Sequence, residues 1–287
     1  MKTMDADLII DHRISAHDNA LSRLLATAPE LTKRGNAGLI FDRYLPLWQW
    51  NTGKRTIERR PLFGPLRAFV DDFNAEKNKD HPGNMVLKEQ RLRREWMKKR
   101  LSMQQVLGEV EWRLAMGLGN DHPSENGFTF EPVSGVPVLP GSAIKGVCRR
   151  MAVLQDWDPR TIERWFGPEI TPDDSANGRG ALIFMDAWPT KWPRLVVDIV
   201  NCHHPRYYAQ PIKDKADFPS ETESPVPVLF LALDQGSRFA FPIRQRPGSK
   251  IDLEEAGNLL ITALETLGLG AKRASGYGLM RQPRRDE

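Results

Sequence analysis

Residues 268–280, GLGAKRASGYGLM, set Gly268, Gly270, Gly276 and Gly278 around two adjacent cations, Lys272 and Arg273, with the hydroxyls of Ser275 and Tyr277 between them. A loop without Cβ atoms lets the backbone approach another surface. Its free N–H groups can form an anion-binding concavity, and the two cations add formal charge beside it. The Tyr277 ring could stack on a base. Such a set suits a sugar–phosphate strand better than a small neutral ligand. The plainer reading is that Gly268 ends a helix and the other glycines only turn the chain. The order and spacing exclude a Walker loop and a dinucleotide fingerprint, since both precede a helix and this loop follows one. A second anion-seeking feature lies in LPGSAIKG. A helix starting at Ser142 offers unpaired N–H groups and a partial positive charge, and Lys145 and Arg149, one turn apart, extend that face. If both features sit near one edge of a sheet, a phosphate could bridge them.

The candidates for catalysis are His203 and His204 in NCHHPRYYAQ, and Asp186 and Asp198. Metal-free RNA cleavage needs a general acid and a general base with pKa values near neutrality, which suits histidine. Adjacent strand residues point to opposite faces, so the two rings would not converge. A histidine hydrogen-bonded beside Tyr207 and Tyr208 is the other role. Asp186, in the apolar run FMDAW, must be paired, with an arginine or with backbone donors. Asp173 and Asp174 fall in a polar loop and read as solvated. A metal site would want a second and a third carboxylate nearby, and none is close in sequence. Cys148 and Cys202 lack metal-type spacing and fit a reduced, intracellular chain.

The elements that would carry these residues read as follows. AHDNALSRLLATA is a short helical pattern, NAGLIFDRYLPLWQW an extended piece with aromatic anchors, and RRPLFGPLRAFVDDFNAEKNKDHPGN a helix closed by a polar loop. Seven of the thirteen residues from Lys88 to Arg100 are basic. Leu92, Trp96 and Met103 fall within about 40° on a helical wheel, which predicts an amphipathic helix with a cationic outer face. That face is either a solvated surface or a phosphate-facing one. VEWRLAMGLG alternates, with Val110, Trp112, Leu114 and Met116 on one side, and predicts a half-buried strand. Ser142 caps a helix whose apolar stripe is Ile144, Val147, Cys148, Met151 and Ala152. GALIFMDAWP predicts a central strand, LVVDIVNCHH another, and VPVLFLALDQGSRFAFPIR a hairpin turning at Asp234–Ser237. In the helix after Asp252, that residue caps and Glu255 completes a capping box. Leu253, Ala256, Leu260, Ala263, Leu264 and Leu267 face inward, and Gly268 takes the left-handed terminal position. SGYGLMR is a last short strand.

The order from residue 109 onward is that of the split β-α-β unit. The expected fold class is α+β, a ferredoxin-like or RNA-recognition-type fold with helical N-terminal and loop insertions. Residues 1–108 form an N-terminal extended segment with a basic helical insertion, and residues 109–287 form the core. The chain of 287 residues carries a formal charge of +4, which permits a polyanionic partner without requiring one. No run approaches the roughly 20 apolar residues of a membrane span. The start carries acidic residues and no signal-peptide core, so the expected location is cytoplasmic.

The segments RLAMGLGNDHPSENGFTFEPVSGVPVLPGSAIKG, WFG, GALIFMDAWP, VVDIVNCHHPRYYAQ, PVPVLFLAL and LGLGAKRASGYG, in that order over about residues 112–278, resemble the RAMP superfamily of CRISPR proteins. Within it they are most similar to the sixth-subunit family of the Cmr (type III-B) effector. NAGLIFDRYLPLW resembles that family's early segment more loosely, and residues 54–100 match nothing in it. The resemblance implies a non-catalytic, RNA-binding structural subunit that caps the guide-RNA backbone filament near its 3′ side. Its partners would be guide RNA, target RNA and other Cmr subunits, with no cofactor, metal or membrane. It further implies that surfaces facing RNA or neighbouring subunits include Ser142, Lys145, Gly146, Gly268, Gly270, Lys272, Arg273, Ser275, Gly276, Tyr277 and Gly278. The alternative is a metal-independent guide-processing endoribonuclease using His204. It draws on RAMP proteins that process guide RNA with histidines, although the resemblance places this segment in a non-catalytic stretch.

Overall fold

A computed structural model describes residues 36–51, 54, 56–75, 82–168, 178–202, 204, 207 and 225–283. The helical pattern at 16–28, Asp173, Asp174, His203 and Tyr208 lie outside the described residues.

The chain is a mixed α/β structure built on antiparallel sheets. A short helix, Ala37–Leu39, widens into the turn Ile40–Tyr44. There follow β1 (Trp48–Asn51), β2 (Thr56–Arg59), α1 (Phe63–Ala75), α2 (Pro82–Arg100) and β3 (Met103–Val110). Next come α3 (Gly141–Leu154), α4 (Pro159–Phe166), β4 (Leu182–Phe184), β5 (Trp188–Pro189) and β6 (Leu195–Cys202). The chain closes with β7 (Val226–Leu233), β8 (Arg238–Gln245), α5 (Leu253–Thr266) and β9 (Met280–Arg281). The main sheet has the order β4-β8-β3-β9, with β5 also on β8. β1 pairs with β2 and β6 with β7 in separate ribbons.

Phe239, Phe241 and Ile243 of β8 are fully buried in the cluster that also holds Ile144, Val147, Met151, Leu260 and Leu264. Helices α3 and α5 pack on each other, and α5 packs on β3 and β8. The same cluster takes in Phe41, Leu66, Phe69 and Phe73, so the N-terminal aromatics close one side of this core.

The expected stripe of α3 is buried at every position, Ile144, Val147, Cys148, Met151 and Ala152. In α5, Ala256, Leu260, Ala263 and Leu264 are buried, and the Asp252 carboxylate accepts from the Glu254 and Glu255 N–H groups. Burial pushes the Cys148 thiol up, which keeps it protonated and inert.

Three strand expectations are corrected. The basic helix ends at Arg100 and the strand begins at Met103, earlier than the alternation at 110–116 suggested. Periodicity is weak in β3 because its helix-facing side carries Gln104 and Gly108 as well as Val106 and Val110. A Cβ at Gly108 would lie 3.0 Å from the Phe241 ring. Residues 111–116 instead cross between sheets through the bridges Leu114–Leu233 and Ala115–Ala271. GALIFMDAWP is not a central strand but two short pieces at the sheet edge, β4 and β5, both on β8. The apolar runs 226–233 and 238–245 do not form a hairpin. One pairs with β6 and the other with β3 and β4, so the turn at Asp234–Ser237 passes the chain from one sheet to the other.

His122 fastens the N-terminal segment to the long 111–140 loop. Its ring stacks on Phe41 at 4.1 Å, and Nε2 lies 3.0 Å from the Phe41 carbonyl. A carbonyl only accepts, so Nε2 carries the proton and Nδ1 accepts from the Ser124 N–H at 3.1 Å. Burial pushes the His122 pKa down, against smaller upward pulls from the Phe41 carbonyl and Asp42. The fold therefore favours the neutral ring. Its contribution is complete above about pH 6.5 and declines as pH falls from there towards the lower folded value. Protection factors of the amides across Ile40–Tyr44, that is, exchange corrected for its intrinsic slowing in acid, are expected to fall between pH 7 and pH 5. Protection factors that stay constant across this window would show that the ring does not hold the segment.

Candidate nucleic-acid interface

The tip of α3 is already served by the protein itself. Its N-cap position is Pro140, not Ser142, and has no side-chain cap. The Gly141 N–H donates to Asp186 Oδ1 at 2.7 Å. Asp186 thus takes a backbone donor, one of the two roles the sequence allowed. Its negative charge now sits where the anion was expected. The exposed flank is left for a ligand: Ser142, Lys145, Gly146 and Arg150 face solvent. A Cβ at Gly146 would meet nothing within 4 Å. Arg149 is turned inward, its Nη1 donating to the Gly167 carbonyl at 2.6 Å.

The glycine loop is held from several sides. Gly268 is left-handed at φ 65°, and its N–H donates to the Ala263 carbonyl, which closes α5 as expected. The Ala271 N–H donates to Ala115, Gly278 to Arg113, and Leu269 to Gly278. Between these anchors, Arg273–Ser275 make one 3₁₀ turn flanked by left-handed Lys272 and Gly276. The Lys272 ammonium lies 5.4 Å from the Phe230 ring centroid. Arg273, Ala274 and Ser275 are exposed.

Arg150 of α3, Thr266 and Leu267 at the end of α5, and Gly270, Lys272, Arg273 and Ala274 of the loop line an open groove of about 640 Å³. The groove holds three cations and no acidic lining residue. Arg150 was not among the expected site residues; its spacing of four from Gly146 is the signal that puts the two on one helical face.

Tyr277 does not serve as a stacking platform. Its ring is buried between Trp112 and Phe230, and its hydroxyl donates to Asp198 Oδ2 at 2.6 Å. Arg113 Nη1 reaches the same oxygen at 2.6 Å. Burial drives the Asp198 carboxyl upward, but the bonds from Tyr277, Arg113 and the Ile199 N–H outweigh it and hold the group below the usual range. Burial and the adjacent carboxylate push Tyr277 up to about 12. The exposed aromatic here is Trp112, which lies over Tyr277 and is itself 47% exposed. The alternation at 110–116 had turned it inward.

Asp186 and Asp198 are therefore both spent on holding elements together. His204 is half-buried just past β6. Among the described residues no three His, Cys, Asp or Glu side chains gather as for a metal ion. Nor is any described helix long and apolar enough to cross a membrane.

The profile of the RAMP superfamily matches residues 109–281. The "CRISPR system Cmr subunit Cmr6" of Pyrococcus furiosus is 28% identical over 224 residues, which are 59% of this chain and 65% of that relative, so the match falls short of two thirds of its length. A chain of the cryo-EM structure of "the Type III-B Cmr-beta bound to cognate target RNA" has the same fold at TM-score 0.58, with 20% identity over 92% of this chain and 98% of that one. The crystal structure of Cmr6 from Pyrococcus furiosus gives TM-score 0.37 and 24% identity over 63% of this chain and 98% of that one.

Proposed function

The chain belongs to the RAMP superfamily, and from that premise we propose that it is a non-catalytic, RNA-binding structural subunit of a cytoplasmic type III-B CRISPR (Cmr) effector. In this reading it caps the guide-RNA backbone near the 3′ side and touches guide RNA, target RNA and neighbouring subunits. The name of the Pyrococcus relative and the RNA-bound Cmr assembly that shares the fold support it. The strand order of the main sheet, second-third-first-fourth in chain order and antiparallel throughout, supports a ferredoxin-like core that starts with β3 at Met103, six residues ahead of the expected boundary at 109, with the residues before it as an extension.

The observation that carries the reading is the acid-free groove lined by Arg150, Lys272 and Arg273. Beside it stands a mid-helix glycine with no packing reason. Glycine inside a helix costs about 1 kcal/mol relative to alanine, and the gain at Gly146 is room for a strand's backbone. The contacts would be to phosphates, so binding is salt-dependent and tolerant of sequence. The alternative of a nuclease using His204 is not favoured by the comparisons, whose relatives are named as Cmr subunits.

The test is Lys272→Glu with Arg273→Glu, two groove cations at the protein surface. RNA affinity should fall, and the slope of log K against log salt should shrink by about 1.4 for two lost phosphate contacts on a single strand. The thermal midpoint should stay close to wild type. Unchanged affinity and unchanged incorporation into the complex would overturn the proposal.

A further inference from the structure

Helix α2 turns its apolar stripe outward. Leu87, Arg94 and Met97 are buried against the protein, and α2 packs on β3 and β5. Met85, Leu92 and Trp96 are 64%, 49% and 57% exposed. At 100° per residue these three fall within about 40° of one another, on the side of the helix away from the buried set. They span twelve residues, or about 16 Å of axis. Lys88 and Lys99 border the stripe on one side, Arg93 and Arg100 on the other, and all four are exposed. The Arg100 guanidinium lies 5.5 Å from the Trp96 ring centroid. The exposed charges of the helix are Lys88, Arg91, Arg93, Lys98, Lys99 and Arg100 against Glu89 and Glu95, six positive and two negative.

This is a second amphipathic face, separate from the one that anchors the helix. It lies ahead of the residues that match the family profile, which start at 109. A helix that binds nucleic acid presents cations along its centre line, where the phosphates are. Here the centre line is Met, Leu and Trp, and the margins carry four cations and one acid, Glu89, which stands beside Trp96 on the Arg93–Arg100 side. Methionine and leucine gain nothing from a phosphate but gain from apolar partners. Marginal cations select acidic flanks on the other side, as paired helices do at their edges.

We propose that the outer face of α2 docks an acidic amphipathic helix of a partner protein, with apolar residues spaced i, i+3/i+4, i+7 on the Met85–Leu92–Trp96 stripe and glutamates or aspartates along both edges. This is the helix-in-groove mode of recognition. The surface is distinct from the groove between α3 and the glycine loop, so the two bind independently.

The test uses the full chain and three labelled probes: a synthetic 18-residue helix with a leucine stripe and glutamate flanks, the same helix with lysine flanks, and a single-stranded oligo(U) RNA. The glutamate helix should bind and the lysine helix should not. Leu92→Asn with Trp96→Asn should weaken the glutamate helix at least tenfold, and Lys88→Glu with Lys99→Glu, which reverses one of the two margins, should erase the preference between the two helices. Neither pair should alter oligo(U) binding, and both concern exposed side chains, so circular dichroism and the thermal midpoint should match wild type. Failure of the glutamate helix to bind would overturn the proposal. So would oligo(U) binding that is lost on Arg93→Glu with Arg100→Glu but untouched by the Leu92/Trp96 pair, because the face would then belong to RNA. Lys272→Glu with Arg273→Glu, read in parallel, separates this outcome from failure of the groove reading.

Discussion

Gly278→Ala is expected to destabilise the protein by about 4 kcal/mol, while Gly276→Ala two residues earlier costs about 1–2 kcal/mol. Both glycines are left-handed, at φ 79° and 85°. An L-residue pays the same backbone penalty at either, so that term cancels in the comparison. The surroundings differ. A Cβ at Gly278 would stand 1.8 Å from the Leu269 carbonyl oxygen and 2.9 Å from its carbon, both backbone atoms that no rotamer change can move. At Gly276 it would meet nothing within 4 Å. To relieve the clash, Gly278 must give up its bond to the Arg113 carbonyl or the one it accepts from Leu269, and each such loss costs about 1 kcal/mol. Urea denaturation of the two variants measures the difference directly. Equal midpoints would mean that the base of the glycine loop is not clamped. If it is clamped, Gly278→Ala should also lose RNA affinity through misplaced Lys272 and Arg273, and Gly276→Ala should lose little.

How much of this was legible in the sequence depends on the range of the forces. The inner faces of α3 and α5 were, because a helical stripe such as Ile144–Val147–Cys148–Met151 is fixed by period alone. So were the Asp252 cap and the left-handed Gly268, which rest on bonds within a few residues. Strand partners were not. Residues 226–233 and 238–245 look like a hairpin because each is apolar and a turn lies between them. Their partners, β6, β3 and β4, are chosen by packing far away in sequence. Gly108 hid β3 for a related reason, since it presents no side chain where Phe241 and Leu264 fill the space. In α2 the period grouped Leu92 and Trp96 on one face, but that face is the outer one, and Met103, counted with them, opens β3; period carries no information about which side meets the protein. At the candidate site the cations of the loop were legible. The fate of Tyr277 was not, because the carboxylate that claims its hydroxyl is 79 positions away.

Asp198→Ala is expected to cost about 2 kcal/mol, because it removes the single acceptor shared by the buried Tyr277 hydroxyl and the half-buried Arg113 guanidinium. Tyr277→Phe should cost only about 1 kcal/mol, since Arg113 still satisfies the carboxylate. The two effects should not add. With Asp198 gone the hydroxyl has lost its partner already, so the double variant should resemble Asp198→Ala alone. A strictly additive double variant would show that the pair is not coupled. The pH profile gives a second check with a definite sign. The folded Asp198 carboxyl is held down, so its contribution is complete above about pH 4 and disappears as pH falls through the lower folded value. Folded Tyr277 is pushed up to about 12, so its share is intact below about pH 10 and fades as pH rises through that folded value. Stability due to this cluster is then flat between those limits and falls at both ends, and Asp198→Ala should flatten the acid limb. The cluster joins the β6–β7 ribbon to the glycine loop and to the 111–116 crossing. Through those three attachments a carboxylate outside the groove sets the position of the groove's cations. Asp198→Ala should therefore weaken RNA binding at pH 7 without removing any cation from the groove, and Lys272→Glu with Arg273→Glu should do so without lowering the thermal midpoint.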